Sequence, residues 1–279
     1  MKSKIKIIVS ISISFILALA SSIGFVNAET QIVSSPVEFH MNEYDSIMDK
    51  LKNTEDISTF STNICDTQNE VLNELKALEN HVISMNSKTD DELKELNYTE
   101  DQIFAIRNYD GTSDMLRRAS GDVSGVVIIY SRQVTGGKTY LTIKCSGSYN
   151  GAFVNQGQDN LAMSAVGSNC IFVPNPSQRP TMKNTYSDGH STYASYQEKS
   201  SGVIFQFGIQ QLKTFEAYYY GVAQGEITVI RYGAAYSHNY QSVGFDGISI
   251  NTKDGSISLS FSPKFNSTLI FNKVYTATY

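Results

Sequence analysis

The chain predicts an α+β protein, an N-terminal helical segment followed by an all-β antiparallel sandwich, with a barrel as the second choice. Three observations predict it. Apolar residues recur at helical spacing before residue 108, they alternate with polar residues from Ser124 onward, and Gly- or Pro-containing turns separate the alternating runs. The organisation that follows is a leader at 1–28, an acidic helical region at 29–108, a linker at 109–123 and an antiparallel β domain at 124–279.

The leader reads as a secretory signal peptide. A cationic "MKSKIK" precedes the apolar "IIVSISISFILALA", and small and polar residues end in Val26-Asn27-Ala28, which places the cut after Ala28. The apolar run from Ile7 to Ala20 is shorter than the ~20 residues of a spanning helix. No Cys follows that run to take a lipid. A secreted, extracellular chain with no stable membrane anchor is therefore expected.

Charge separates the two halves. The chain has 22 Lys plus Arg against 27 Asp plus Glu, and loss of Lys2, Lys4 and Lys6 with the leader moves the balance from −5 to −8. Between Glu29 and Arg118 there are 8 basic and 19 acidic residues, whereas Ala119 to Tyr279 has 11 basic and 8 acidic. So acidic a first half argues against nucleic acid or anionic lipid as a partner, because both attract cations.

The long helix is carried by "DTQNEVLNELKALENHVISMNS", where Val71, Leu75, Leu78, Val82 and Met85 share one face. Thr67 with Glu70 predicts its start as a capping box, and Thr89 with Glu92 and Thr99 with Gln102 start two shorter helices the same way. Upstream, "NEYDSIMDKL" predicts a short helix with Tyr44, Ile47, Met48 and Leu51 on one side. "ELKELNYTEDQIFAIRNY" has the spacing of small three-helix domains of the ubiquitin-associated type, without their Met-Gly turn, and is read as a helical hairpin. "NYDGTSDMLRRASGDVSG" then reads as a joint, and its Arg117-Arg118 pair is a possible processing point.

Strand period begins at "SGVVIIYSRQVTGGKTYLTIKCSGSY", two strands around Gly136-Gly137. In the second, Leu141, Ile143 and Cys145 fall on one face and Tyr140, Thr142 and Lys144 on the other. "VPNPSQRPTMKN" predicts an extended surface loop, because proline cannot donate to a ladder. "GVIFQFGIQQ" and "GEITVIRYGAAYSH" are strand-like, and "GISINTKDGSISLSF" predicts a hairpin turning at Asp254-Gly255.

Chemistry-bearing residues are sparse. No His-Glu-x-x-His, Gly-x-Ser-x-Gly, Walker loop or calcium loop occurs, so no catalytic residue, cofactor or metal ligand is assigned. Asp188 and His190 in "SDGHSTY" read as a Gly-containing turn; as an acid/base pair they would support a hydrolase. Cys145 and Cys170 are a possible disulfide, with buried thiols as the alternative, and Cys65 is left over. Fourteen of the seventeen tyrosines lie in the β half, including Tyr218-Tyr219-Tyr220 and the group Tyr232, Tyr236 and Tyr240. Tyrosine is the amphipathic residue of adaptable contact surfaces, and it also fills cores and edges of half-exposed sheets.

"ELNYTEDQIFAIRNYDGT", "CSGSYNGAFVNQGQDNLAMSAV" and "YGAAYSHNY" together resemble a group of exported proteins of low-GC Gram-positive bacteria with no assigned activity. Relatives carry Trp where this chain has Cys145 and Tyr149, and Gly-His where it has Ser237-His238. The resemblance implies export and brings no catalytic residue with it. "AYSHNY" is also similar to a short segment of lactococcin-type bacteriocins.

The expected function is an exported non-enzymatic binding or interaction protein whose partner is an unknown protein or cell-surface ligand. The alternative is a secreted toxin or bacteriocin-like effector, whose acidic helical pro-region is removed at Arg117-Arg118.

Overall fold

A computed structural model describes residues 34–56, 64–154, 158–168, 170–239, 244–250, 257–262 and 267–279. Ala28 and the leader, Tyr240 and the Asp254-Gly255 turn lie outside the described residues, as does the side chain of Cys65. The order is β1 (Val37–Asn42), α1 (Glu43–Asp56), α2 (Ile64–Met85), α3 (Asp90–Glu95), α4 (Glu100–Arg107), α5 (Ser113–Ala119), β2 (Asp122–Thr135) and β3 (Lys138–Asn150). There follow β4 (Asp159–Gly167), β5 (Val173–Pro174), β6 (Thr181–Tyr186), β7 (Ser191–Tyr193), β8 (Ser195–Lys199), β9 (Gly202–Phe207) and β10 (Leu212–Gln224). The last strands are β11 (Val229–Asn239), β12 (Gly244–Ile250), β13 (Ile257–Ser262) and β14 (Ser267–Thr278).

The strands form an antiparallel sandwich with helices, as the sequence predicts, and not a closed barrel. One sheet runs β1-β2-β3-β10-β6-β7 with β5 also paired to β10, a second runs β14-β11-β4-β9-β8, and β12 and β13 pair as a two-stranded sheet. Strict alternation builds the first sheet: along β10, Phe215, Ala217 and Tyr219 are buried while Glu216, Tyr218 and Tyr220 face outward. On β3, Leu141, Ile143 and Cys145 point inward and Tyr140, Thr142 and Lys144 outward, the predicted division. Between the sheets, Ile129, Ile143, Leu161, Met163, Phe205, Tyr219 and Tyr236 are fully buried. Each such side chain stabilises the fold by about 1.5–3 kcal/mol. The Gly136-Gly137 hairpin is confirmed, both residues having positive φ (57° and 70°).

The helices keep a core of their own around Ile47, Leu78, Leu93, Ile106 and Leu116. The boxes at Thr89–Glu92 and Thr99–Gln102 are both formed, each hydroxyl accepting from the third helical N–H while the third side chain accepts from the cap N–H. The long helix begins at Ile64, three residues before the expected Thr67 cap.

Three expectations are corrected. Residues 109–123 are not a bare linker: Thr112 caps α5, which carries Arg117 and Arg118, and β2 starts at Asp122. The acidic first half is not purely helical, because β1 pairs with β2 in register Val37↔Val127 to Asn42↔Asp122, and residues 32–279 form one unit. The proline-rich stretch is only partly a loop. Thr181–Asn184 enter β6 because the last proline, Pro180, stops one residue short of the ladder, so that Met182 and Asn184 can turn inward.

Candidate binding surface and the buried polar cluster

The outer face of the seven-stranded sheet gathers the aromatic residues that the inner core does not use. Tyr218 and Tyr220, two apart on β10, present rings nearly parallel at 10° with centroids 6.4 Å apart. Tyr130, at the β2 bulge between Ile129 and Ser131, meets Tyr218 edge-on at 6.0 Å. The Lys144 ammonium lies 5.4 Å from the Tyr218 ring and 3.1 Å from the Glu216 carboxylate, and the Tyr218 hydroxyl donates to the same Glu216. Burial and Glu216 push the Tyr218 hydroxyl up, and burial pushes Tyr220 up, so both remain hydrogen-bond donors at neutral pH.

Around this cluster runs a polar and apolar border. Ser124 and Ser148 lie 3.4 Å apart across β2 and β3, and Thr185 and Ser191 lie 3.2 Å apart across β6 and β7. Tyr193, opposite Lys183 on the edge strand β7, is 73% exposed, and Val173 of β5, paired with Val222 of β10, is 45% exposed. Exposed apolar residues adjoining half-buried aromatics are the composition of a contact surface. Among the described residues, no helix packs over this face. The two outward tyrosines are held in place by Tyr219 between them, which is fully buried and donates to the Phe172 carbonyl at 2.6 Å.

A second constellation sits inside the molecule. His238 on β11 places Nδ1 at 2.9 Å from Asp159 of β4 and donates from Nε2 to the Val154 carbonyl at 3.2 Å. Glu43, the first residue of α1, stands 3.7 Å from the same Nε2 and accepts from the Val154 N–H at 3.0 Å. Tyr236 donates to Asp159, and Tyr149 donates to Tyr236 at 3.0 Å. Burial alone would lower His238, but the Asp159 and Glu43 carboxylates raise its pKa to about 9, making it a cation at neutral pH. Glu43, Asp159 and His238 are at most 1% exposed, and the cluster joins α1 to both strands.

Other predicted positions are dispersed. Cys145 and Cys170 are both free thiols rather than a disulfide: Cys145 points into the core from mid-strand, and Cys170 packs on Gly167 in the turn after β4. Arg117 forms two bonds with Asp45 at 2.7 and 2.8 Å, and Arg118 donates to Asp101 at 2.6 Å. Asp188 and His190 bond to each other in the exposed β6–β7 turn, where His190 stacks on Tyr186 at 4.3 Å. The His238 cluster escapes sequence inspection because its members lie 195 positions apart at the extremes, on three separate elements.

Among the described residues no group of three or more His, Cys, Asp or Glu is arranged to hold a metal, and no helix is long and apolar enough to cross a membrane. No protein-family model matches the chain, and no curated protein matches it in sequence. Among solved structures, the collagen-binding domain of the Erysipelothrix rhusiopathiae surface protein RspB is similar at 4% identity and a TM-score of 0.27, over 57% of this chain and 66% of that one. The collagen-binding domain of a Staphylococcus aureus adhesin is similar at 6% identity and a TM-score of 0.28, over 53% and 95%. The Streptococcus pneumoniae pilus backbone is similar at 10% identity and a TM-score of 0.28, over 53% and 42%. The chain thus covers just under two thirds of the first and less than half of the third. At such scores the likenesses carry no argument about what this chain binds.

Proposed function

We propose that the protein is an exported, non-enzymatic binding protein that holds an extracellular protein or cell-surface ligand against the outer face of its seven-stranded sheet. The observation that carries this reading is the Tyr130–Tyr218–Tyr220 cluster with Lys144 and Glu216, on a face that no described helix covers. Rigid aromatic rings supply contact area at low entropic cost, and Lys144, Glu216 and the Ser/Thr rows supply hydrogen bonds. The buried cluster and the exposed Asp188–His190 turn offer no accessible nucleophile with a base.

The pro-region alternative has a structural argument against it. Cutting after Arg117 or Arg118 would leave β1 and Glu43 on the released side, although β1 is the edge of the sheet and Glu43 is buried against His238. Binding of the purified protein to an immobilised panel of surface proteins and glycans, collagen among them, tests the reading. Tyr218→Ser with Tyr220→Ser should abolish whatever binding the panel reveals, while Tyr196→Ser on the opposite sheet should leave it unchanged. Equal binding by the double variant would remove the sheet face as the site.

A further inference from the structure

We propose that the cleft between the helices and the adjoining end of the sandwich is a second site, one that binds a small organic carboxylate. The cleft has a volume of about 640 Å³, within the usual size of small-molecule sites. Buried Tyr149, Phe153 and Leu212 line it, together with half-buried Leu96 and Lys88 and exposed Gln211.

Its walls are preformed. Tyr149 is held through its hydroxyl on Tyr236 and meets the Phe153 ring at 5.8 Å and 77°. Gly151 N–H donates to the Asn97 carbonyl at 2.9 Å, and the Asn97 side chain donates to Ser187 at 2.9 Å. Ser187 N–H donates in turn to the Gln211 carbonyl at 2.9 Å, so one chain of bonds ties the α3–α4 turn, the end of β3 and the loop before β10.

Backbone strain marks the same place. Asn97 (φ 62°) and Gln211 (φ 60°) are the only non-glycine residues with positive φ among the described residues. Asn adopts this region readily, but Gln does not, and residues held there cluster at binding sites. Gln211 lines the cleft, and Asn97 follows Leu96, which also lines it.

Charge decides the ligand class. Among the described residues no Asp or Glu lines the cleft, so a cationic ligand would find no counter-ion in that lining. Among the described residues Lys88 forms no salt bridge, although its charge acts on the nearby Glu92 carboxylate. His81, which faces the same space, is bonded to the Tyr98 hydroxyl at 3.1 Å and has its pKa lowered by burial, so Lys88 is the cation of the site. An ammonium beside the Tyr149, Phe153 and Leu212 side chains fits a carboxylate carried on a compact organic body.

The test is a titration of the ¹⁵N-labelled full chain with phenylbutyrate, glucuronate and phenylbutanol, followed by amide shifts. At least one carboxylate should shift Leu96, Gly151 and the 208–212 amides saturably, with phenylbutyrate favouring an apolar body and glucuronate a polar one. Lys88→Gln should weaken that binding by about tenfold or more, Lys88→Arg should retain it, and Lys138→Gln on the distant β2–β3 hairpin should not alter it. The proposal is overturned if neither acid shifts these amides at about 10 mM, if the alcohol binds as well as the acids, or if Lys88→Gln binds like the unaltered chain.

Discussion

Stability should fall as pH rises through the His238 titration. His238 has an ordinary pKa near 6.5 when unfolded and about 9 when folded between Asp159 and Glu43. A raised pKa means that the folded state holds the proton more tightly, so the stabilisation is complete below pH 6.5 and lost as pH approaches and passes about 9. At about 1.4 kcal/mol per pH unit, that window is worth about 3 kcal/mol. His81 works in the opposite sense: its lowered pKa contributes stability above its unfolded value of 6.5 that is lost on acidification, so it does not mask a decline on the alkaline side. Urea unfolding at intervals between about pH 7 and pH 9.5, followed by circular dichroism, measures the slope. Asp159→Asn removes the carboxylate that faces His238 Nδ1 and should flatten it, while lowering stability throughout. A wild-type stability that is level or rising across this window, or an equal slope in Asp159→Asn, would refute the assignment of a buried imidazolium.

Other consequences are independent of that cluster. Gly125→Ala would place a Cβ 2.1 Å from the Ser146 carbonyl and 2.6 Å from the Phe39 ring, so it should destabilise by about 3 kcal/mol or more in a thermal melt; a neutral outcome would contradict the β1–β2–β3 packing. Tyr219→Phe removes the donor to the Phe172 carbonyl and should cost about 1–3 kcal/mol by urea titration without altering the far-UV spectrum. Trypsin should cut the folded chain slowly at Arg117-Arg118, and Asp45→Asn with Asp101→Asn should speed the cut only a few-fold, as exposed ion pairs are screened by solvent and weak; rapid cleavage of the unaltered chain would return these residues to linker status. In iodoacetamide labelling, Cys145 should react only after unfolding, because burial both covers the thiol and pushes its pKa up. A Cys145–Cys170 peptide under non-reducing conditions would overturn the free-thiol assignment.

The sandwich was legible because its strongest signal is local. Period two in β3 and the Gly136-Gly137 turn depend on neighbours in sequence, and so do the capping boxes of α3 and α4. Elements decided by distant partners were not legible. "VEFHMN" is too short to declare itself a strand beside helical residues and becomes β1 through its ladder with β2. The joint around Arg117-Arg118 has turn composition, yet Thr112 caps a helix there that Asp45 and Asp101 hold by ion pairs. Tyrosine enrichment was visible, but its division was not: alternation sends Tyr219 into the core and Tyr218 and Tyr220 out, while Tyr232 and Tyr236 are buried in the other sheet. The His238 cluster joins residues from three elements and left no trace in spacing.

Hydroxyl-radical footprinting of the protein bound to a ligand found on the panel locates the contact face. Oxidation should fall at Tyr130, Tyr193, Tyr218 and Tyr220, with Tyr196 and Phe104, which lie off that face, oxidised as in the free protein. Protection of Tyr196 or Phe104 with none at Tyr218 and Tyr220 would contradict the sheet-face site.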